Sequence, residues 1–313
     1  MSEKLLFSSV DEVHSLYKKK ELSPVEVLEA VFERLEELEP MLNAFITTLP
    51  EEAREQAKKA EDLFSKGEPT GKLTGIPVSV KDIFMTAGIR TTMGSRIMKD
   101  HVPDYNAYVY TALKSSGAVV FGKNSMLEFA YGFVHPDYGQ CNNPWDTNRT
   151  AGGSSSGSAS SVAAGIGYAS IGTDTGGSIR IPASFCGIVG LKPTYEAVSR
   201  EGCFPLSHTL DHVGPLTRTV RDNAAIMEIL APTIPLSESA KSRLGRQRLR
   251  SEMRSHRLLE CGCATFRSRA SGSLQQCWRM RRRRDAKPAH TVLRSTPAIA
   301  SSTARTAAVS CAP

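Results

Sequence analysis

Residues 152–184 read GGSSSGSASSVAAGIGYASIGTDTGGSIRIPAS, and the fold turns on them. Glycine and serine at this density exceed what a packed core requires. They indicate a backbone that passes very close to something, presents hydroxyls at fixed points and leaves main-chain amides free to donate. A flexible linker is the bland reading of such a composition. Three features speak against it: an ordered apolar stretch from Val162 to Ile171, the closing Arg180-Ile181-Pro182, and strand-like segments on either side. A linker uses none of these.

Upstream, the chain alternates helical and strand-like periods. Val10 to Lys20 has the pattern of a short amphipathic helix, and Ser23-Pro24-Val25-Glu26 opens a second. There the serine is an N-cap, the proline fits the first helical position and the glutamate closes a capping box. Leu28, Val31, Leu35 and Leu38 then recur at helical spacing. A third helix is predicted from Pro50 to Lys66, with a stripe of Ala53, Ala57, Ala60 and Leu63 and with Gly67 as its stop. After Gly71 the period changes, and Ile76 to Val80 reads as a buried strand with Lys81 at its end. A helix over Tyr105–Ser115, a strand over Ala118–Phe121 and a short helix near Ser125–Ala130 follow, then a turn at Asn143-Pro144-Trp145-Asp146. Small residues from Gly157 predict a tightly packed helix, and Tyr168 to Gly172 a strand. This alternation predicts an α/β fold with a central mixed sheet flanked by helices. Gly122-Lys123-Asn124 lacks the upstream glycine and following Ser or Thr of a phosphate loop, which excludes that reading.

The block Gly152-Gly153-Ser154-Ser155-Ser156-Gly157, followed by Asp174-Thr175-Gly176-Gly177-Ser178-Ile179-Arg180 and Pro182, resembles the signature of the amidase signature family. Val78-Ser79-Val80-Lys81-Asp82-Ile83 resembles that family's lysine strand, and the segments Ile188–Thr194 and Asp211–Arg218 resemble further parts of it. The resemblance implies the amidase signature fold and hydrolysis of a carboxylic amide through an acyl-enzyme. It assigns the nucleophile to Ser178, the base to Lys81 and a relay between them to Ser154, whose peptide bond it implies to be cis. The amides of Thr175, Gly176, Gly177 and Ser178 become the oxyanion site, and Ser155, Asp174 and Arg180 supporting residues. No cofactor or metal enters this scheme. None of the seven histidines lies in the motif, which argues against a Ser-His-Asp arrangement.

Lys81 can serve as a base only when neutral, so its burial must pull its pKa down by several units from about 10.4. The apolar strand before it fits that requirement. Glu196-Ala197 departs from the Gly-Arg of many family members, a difference of local turn rather than of chemistry.

Charge divides the chain unevenly. The whole carries a net charge of +7, but residues 236–313 hold 17 Lys and Arg against 4 Asp and Glu, so residues 1–235 are net acidic. The family likeness covers roughly residues 5–230. We therefore expect an N-terminal helical region over 1–70, an incomplete catalytic core over 71–235 with the family's C-terminal half missing, and a basic tail over 236–313. The tail, with Arg281–Arg284 and no sustained period, reads as the product of a shifted reading frame, an expectation that an in-frame tail in related genes would overturn. Nucleic-acid binding by the arginines and metal binding by Cys261, Cys263 and Cys277 are weaker readings, since that spacing matches no common zinc pattern. Seven cysteines without a regular framework predict reduced thiols. With no leader pattern and no apolar run that could span a bilayer, the chain reads as cytoplasmic and without a membrane partner.

Ile181 and the Ser199-Arg200-Glu201-Gly202 run favour a stand-alone amidase acting on a small-molecule amide, with homo-oligomerisation left open. The alternative is the A subunit of an aspartyl/glutamyl-tRNA amidotransferase, a glutaminase working with partner subunits and tRNA. A third reading is an inactive, truncated fragment.

Overall fold

A computed structural model describes residues 3–68 and 70–231. In chain order these form α1 (Glu3–Leu6), α2 (Val10–Lys18), α3 (Pro24–Leu42), β1 (Phe45–Thr48), α4 (Pro50–Lys66), β2 (Pro77–Lys81), α5 (Tyr108–Ser115) and β3 (Val119–Asn124). There follow β4 (Asn142–Asn143), β5 (Asp146–Thr150), α6 (Ser156–Ala163), β6 (Ala169–Asp174), α7 (Arg180–Cys186), β7 (Val189–Gly190), β8 (His212–Thr217) and α8 (Val220–Leu230). The basic tail predicted for 236–313 lies outside the described residues.

Local chemistry accounts for the helix ends. Ser23 Oγ accepts from the amides of Val25 and Glu26, the Glu26 carboxylate accepts from the Ser23 amide, and Pro24 occupies the first turn. We expect Ser23→Ala to lower stability by about 1 kcal/mol. Chemical denaturation would measure this, with no change at the site described below. Gly67 ends α4 at φ 69°, a left-handed conformation that glycine adopts without a Cβ clash. The apolar stripe of α4 ends on Phe64 rather than Leu63, because Ala53, Ala57, Ala60 and Phe64 fall on one face while Leu63 is rotated off it.

Six strands form one sheet in the order β1-β3-β2-β6-β8-β7. Strands β3, β2 and β6 run parallel, whereas β1, β8 and β7 pair antiparallel, which makes the sheet mixed. Every residue of β2, β3 and β6 is buried. These central strands therefore read as continuous runs rather than as alternating patterns. Phe121 of β3 packs against Phe32 of α3 and Phe45 of β1, with ring centroids 6.2 and 5.5 Å away.

Two predicted helices differ in the structure. The first begins at Tyr108, because Ala107 is extended. Near Ser125–Ala130 no regular helix forms: a tight turn closes over Glu128–Ala130, where Phe129 and Ala130 take positive φ, which right-handed helices exclude. The strand predicted over Tyr168–Gly172 instead spans Ala169–Asp174. The turn at Asn143–Asp146 joins β4 to β5 as expected, with Asn143 Oδ1 accepting from the Trp145 amide at 3.0 Å. Helix α6 follows, and all eight of its residues are buried. A Cβ on Gly157 would stand 2.2 Å from the Ala44 carbonyl oxygen and 2.6 Å from the Ser125 amide, so a glycine is required there.

Candidate active site

Strand β2 ends on Lys81, and β6, its parallel neighbour, ends on Asp174. The register pairs Val80 with Ile171, bringing the exits of both strands to one edge of the sheet centre. Ligand sites in open α/β sheets gather at such carboxyl ends.

Lys81 is fully buried, and its Nζ lies 2.6 Å from Ser154 Oγ and 2.8 Å from Thr173 Oγ1. Burial lowers its pKa to about 7, against the pull of Cys203, Asp174 and Asp211, which favour the ammonium. A substantial fraction is therefore neutral amine near pH 7, able to accept a proton from the serine it touches. Ser154 is buried and follows a cis peptide bond from Gly153. Its carbonyl accepts from the Leu127 amide at 3.3 Å.

Ser178 stands beside this pair. Its carbonyl accepts from the Ser155 amide at 3.1 Å, which ties the two serine-bearing segments together. Ser178 is half-buried, whereas Ser154 is buried. Ser155 exchanges bonds with the Thr173 backbone, its hydroxyl donating to the carbonyl at 3.2 Å and accepting from the amide at 3.3 Å. It thus braces the residue that holds the lysine.

Asp174 organises the loop that carries Ser178. Its carboxylate is buried and accepts from the amides of Gly177 (2.9 Å), Ile179 (3.1 Å) and Arg180 (3.2 Å). The Arg180 guanidinium adds two further bonds, of 3.0 and 2.8 Å. Burial pushes the Asp174 pKa upward, but the guanidinium and the amides outweigh it and hold the group below the ordinary carboxylate range. The expected oxyanion donors therefore divide: the Gly177 amide is committed to Asp174, whereas those of Thr175, Gly176 and Ser178 meet no acceptor among the described residues.

Two residues that the sequence left without a role join the site. Thr173 grips Lys81, and its place at the carboxyl end of the strand, directly before Asp174, was the available signal. Asp211 lies 36 residues from Thr175, whose Oγ1 donates to it at 2.5 Å. It also accepts from the amides of Leu206 and Ser207, and only the pairing of β6 with β8 brings it there. Asp211 and Cys203, together with Tyr108, Arg200 and His208, line an adjoining cleft of about 670 Å³. Cys141, Cys186 and Cys203 are free thiols. No helix among the described residues is long and apolar enough to cross a membrane.

A central mixed sheet flanked by helices, with a buried lysine against a buried serine at the exits of its parallel strands, defines a protein of the amidase signature type. The amidase family profile matches residues 26–280, and the chain belongs to that family. The match extends beyond residue 235, where the sequence reading begins its tail. The A subunit of the glutamyl-tRNA(Gln) amidotransferase from Geobacter sp. (strain M21) is 47% identical over 234 residues, covering 74% of this chain and 48% of that protein. Among solved structures, the native peptide amidase from Stenotrophomonas maltophilia superposes with a TM-score of 0.69 at 34% identity, covering 75% of this chain and 50% of that one. A bacterial aryl acylamidase superposes with a TM-score of 0.65 at 33% identity, covering 71% and 47%. The chain thus spans about half the length of the relatives it matches.

Proposed function

We propose that this chain hydrolyses a carboxylic amide to an acid and ammonia or an amine, with Ser178 as nucleophile, Ser154 as relay and Lys81 as base. The observation that carries the reading is the fully buried Lys81 amine 2.6 Å from Ser154 Oγ. As Ser178 Oγ attacks the substrate carbonyl, its proton passes to Ser154, whose own proton passes to the neutral Lys81 amine. The carbonyl oxygen gains negative charge and takes hydrogen bonds from the open amides of Thr175, Gly176 and Ser178. When the C–N bond breaks, the proton returns through Ser154 to the leaving nitrogen. An acyl ester remains on Ser178. Water hydrolyses it by the same relay in reverse, releasing the acid and restoring the serine.

A fluorophosphonate probe tests the reading. We expect label on the peptide containing Ser178 and none in the Ser178→Ala variant; an unlabelled wild-type chain that is folded would overturn it. Labelling also carries a pH signature. Lys81 acts in its unprotonated form, so the rate rises with pH, passes half its maximum near the lysine pKa of about 7, and levels off above it. A rate that fell across that range would rule out Lys81 as base.

A second reading is favoured by the 47% identity to an amidotransferase A subunit. There the same site would release ammonia from glutamine for use by partner subunits on a charged tRNA. Glutaminase activity that appears only on adding such subunits would select it. Hydrolysis of simple amides by the chain alone would select the stand-alone amidase.

A further inference from the structure

A second lysine is as deeply buried as Lys81 and has no part in the relay. Lys123 of β3 and Asp82, the residue after β2, are both fully buried, with Nζ 3.2 Å from Oδ1. Lys123 also donates to the Phe84 carbonyl at 3.1 Å and to Thr91 Oγ1. Asp82 accepts from the Thr92 amide at 2.7 Å and the Thr92 hydroxyl at 2.6 Å. We infer that this pair is a positioning unit for the Lys81–Ser154 contact, an inference that rests on the amidase reading above.

The wiring favours that role at both ends of the contact. Residues 82–84 leave β2 directly after Lys81, and the pair pins them to residues 91–92, fixing the strand exit from which the lysine projects. The Met93 amide then donates to the Asp82 carbonyl at 3.2 Å, and the Phe129 amide to the Met93 carbonyl at 2.9 Å. Two residues before Phe129, the Leu127 amide donates to the Ser154 carbonyl, and the Leu127 side chain packs on Gly153. One clamp therefore holds the base from one side and the relay serine from the other.

Stability alone is a weak reason for such a pair. Desolvating two ions offsets much of their attraction, and apolar replacement of both is often neutral or stabilising. Orientation differs, because small misplacements at a reacting centre cost rate steeply.

The Asp82→Asn/Lys123→Met double variant separates the two roles. It removes both charges together and leaves an amide oxygen for Thr92. The readouts are the melting temperature and the kinetics of fluorophosphonate labelling at Ser178, resolved into inactivation rate and probe affinity. We expect a melting temperature close to wild type, unchanged probe affinity and an inactivation rate lower by roughly ten- to hundredfold. A folded double variant that labels at the wild-type rate overturns the inference while leaving the amidase reading intact. A folded wild-type chain that takes no label overturns both. Should the double variant not fold, Thr92→Val decides: it keeps the ion pair but removes a hydroxyl from Asp82. A severalfold lower inactivation rate at unchanged affinity supports the clamp, and a wild-type rate overturns it.

Discussion

Lys81→Met should slow labelling of Ser178 by about a thousandfold, within the 10²–10⁴ range that positioned acid–base groups supply, while leaving the fold intact. Methionine matches the lysine stem and carries no amine, so the proposed relay through Ser154 loses its proton acceptor. Stability should change little. The amine sits where burial already disfavours its charge, and its removal leaves only the hydroxyls of Ser154 and Thr173 short of one partner each. That loss is on the order of 1–2 kcal/mol, offset in part by the added apolar contact. Lys81→Arg should not rescue the rate, because a guanidinium stays protonated at any working pH. Thermal melts with timed labelling would check both points, and wild-type labelling in either variant would end the role assigned to Lys81.

Asp174→Ala should produce the largest loss of stability at the site, about 3 kcal/mol or more. The substitution leaves the amides of Gly177, Ile179 and Arg180 without their acceptor and removes the carboxylate that the Arg180 guanidinium grips. Stranded amides at a buried position carry most of this cost; the ion pair adds less, because Arg180 is half-exposed. A melting temperature lower by roughly 6–12 °C is expected for a region of this size. Labelling should fall as well, since the loop that presents Ser178 and the open amides loses its anchor. Asp174→Asn, which keeps an oxygen acceptor, should be milder on both measures. In the wild type the folded pKa of Asp174 lies below the unfolded value of about 3.9. Its contribution is therefore complete above that value and is lost as pH falls through the lowered one. Equal melting temperatures for wild type and Asp174→Ala would refute this account.

Sequence carried the site further than it carried the network around it. The burial of Lys81 was legible because an apolar run led straight into it, while the role of base came only from the family resemblance; the capping box at Ser23 and stop at Gly67 were legible because backbone chemistry fixes those residue types. The Gly-Ser block could be read because close approach excludes larger side chains. The bonds from Asp211 to Thr175 and from Lys123 to Asp82 were out of reach, since strand pairing across long separations creates them. Gly122-Lys123-Asn124 could be refused as a phosphate loop, yet nothing local pointed to a buried partner for its lysine. Gly177 illustrates a finer limit. Its place in the motif marks its amide as a free donor, and only the folded loop assigns that amide to Asp174.

Helix α6 has no outward side: Ser156 to Ala163 are buried around its whole circumference. Along α3, exposed glutamates alternate with buried leucines, so water-facing positions such as Glu33 and Glu36 are open to neutral drift. Along α6 no residue faces water, and at Gly157 an added Cβ would meet the Ala44 carbonyl oxygen and the Ser125 amide, so crowding there excludes any larger residue whatever the chemistry next door. That glycine is thus held in place by volume, independently of any chemistry at the neighbouring site. A descendant that had lost the Ser178 hydroxyl would go on requiring the same glycine for as long as it kept the fold.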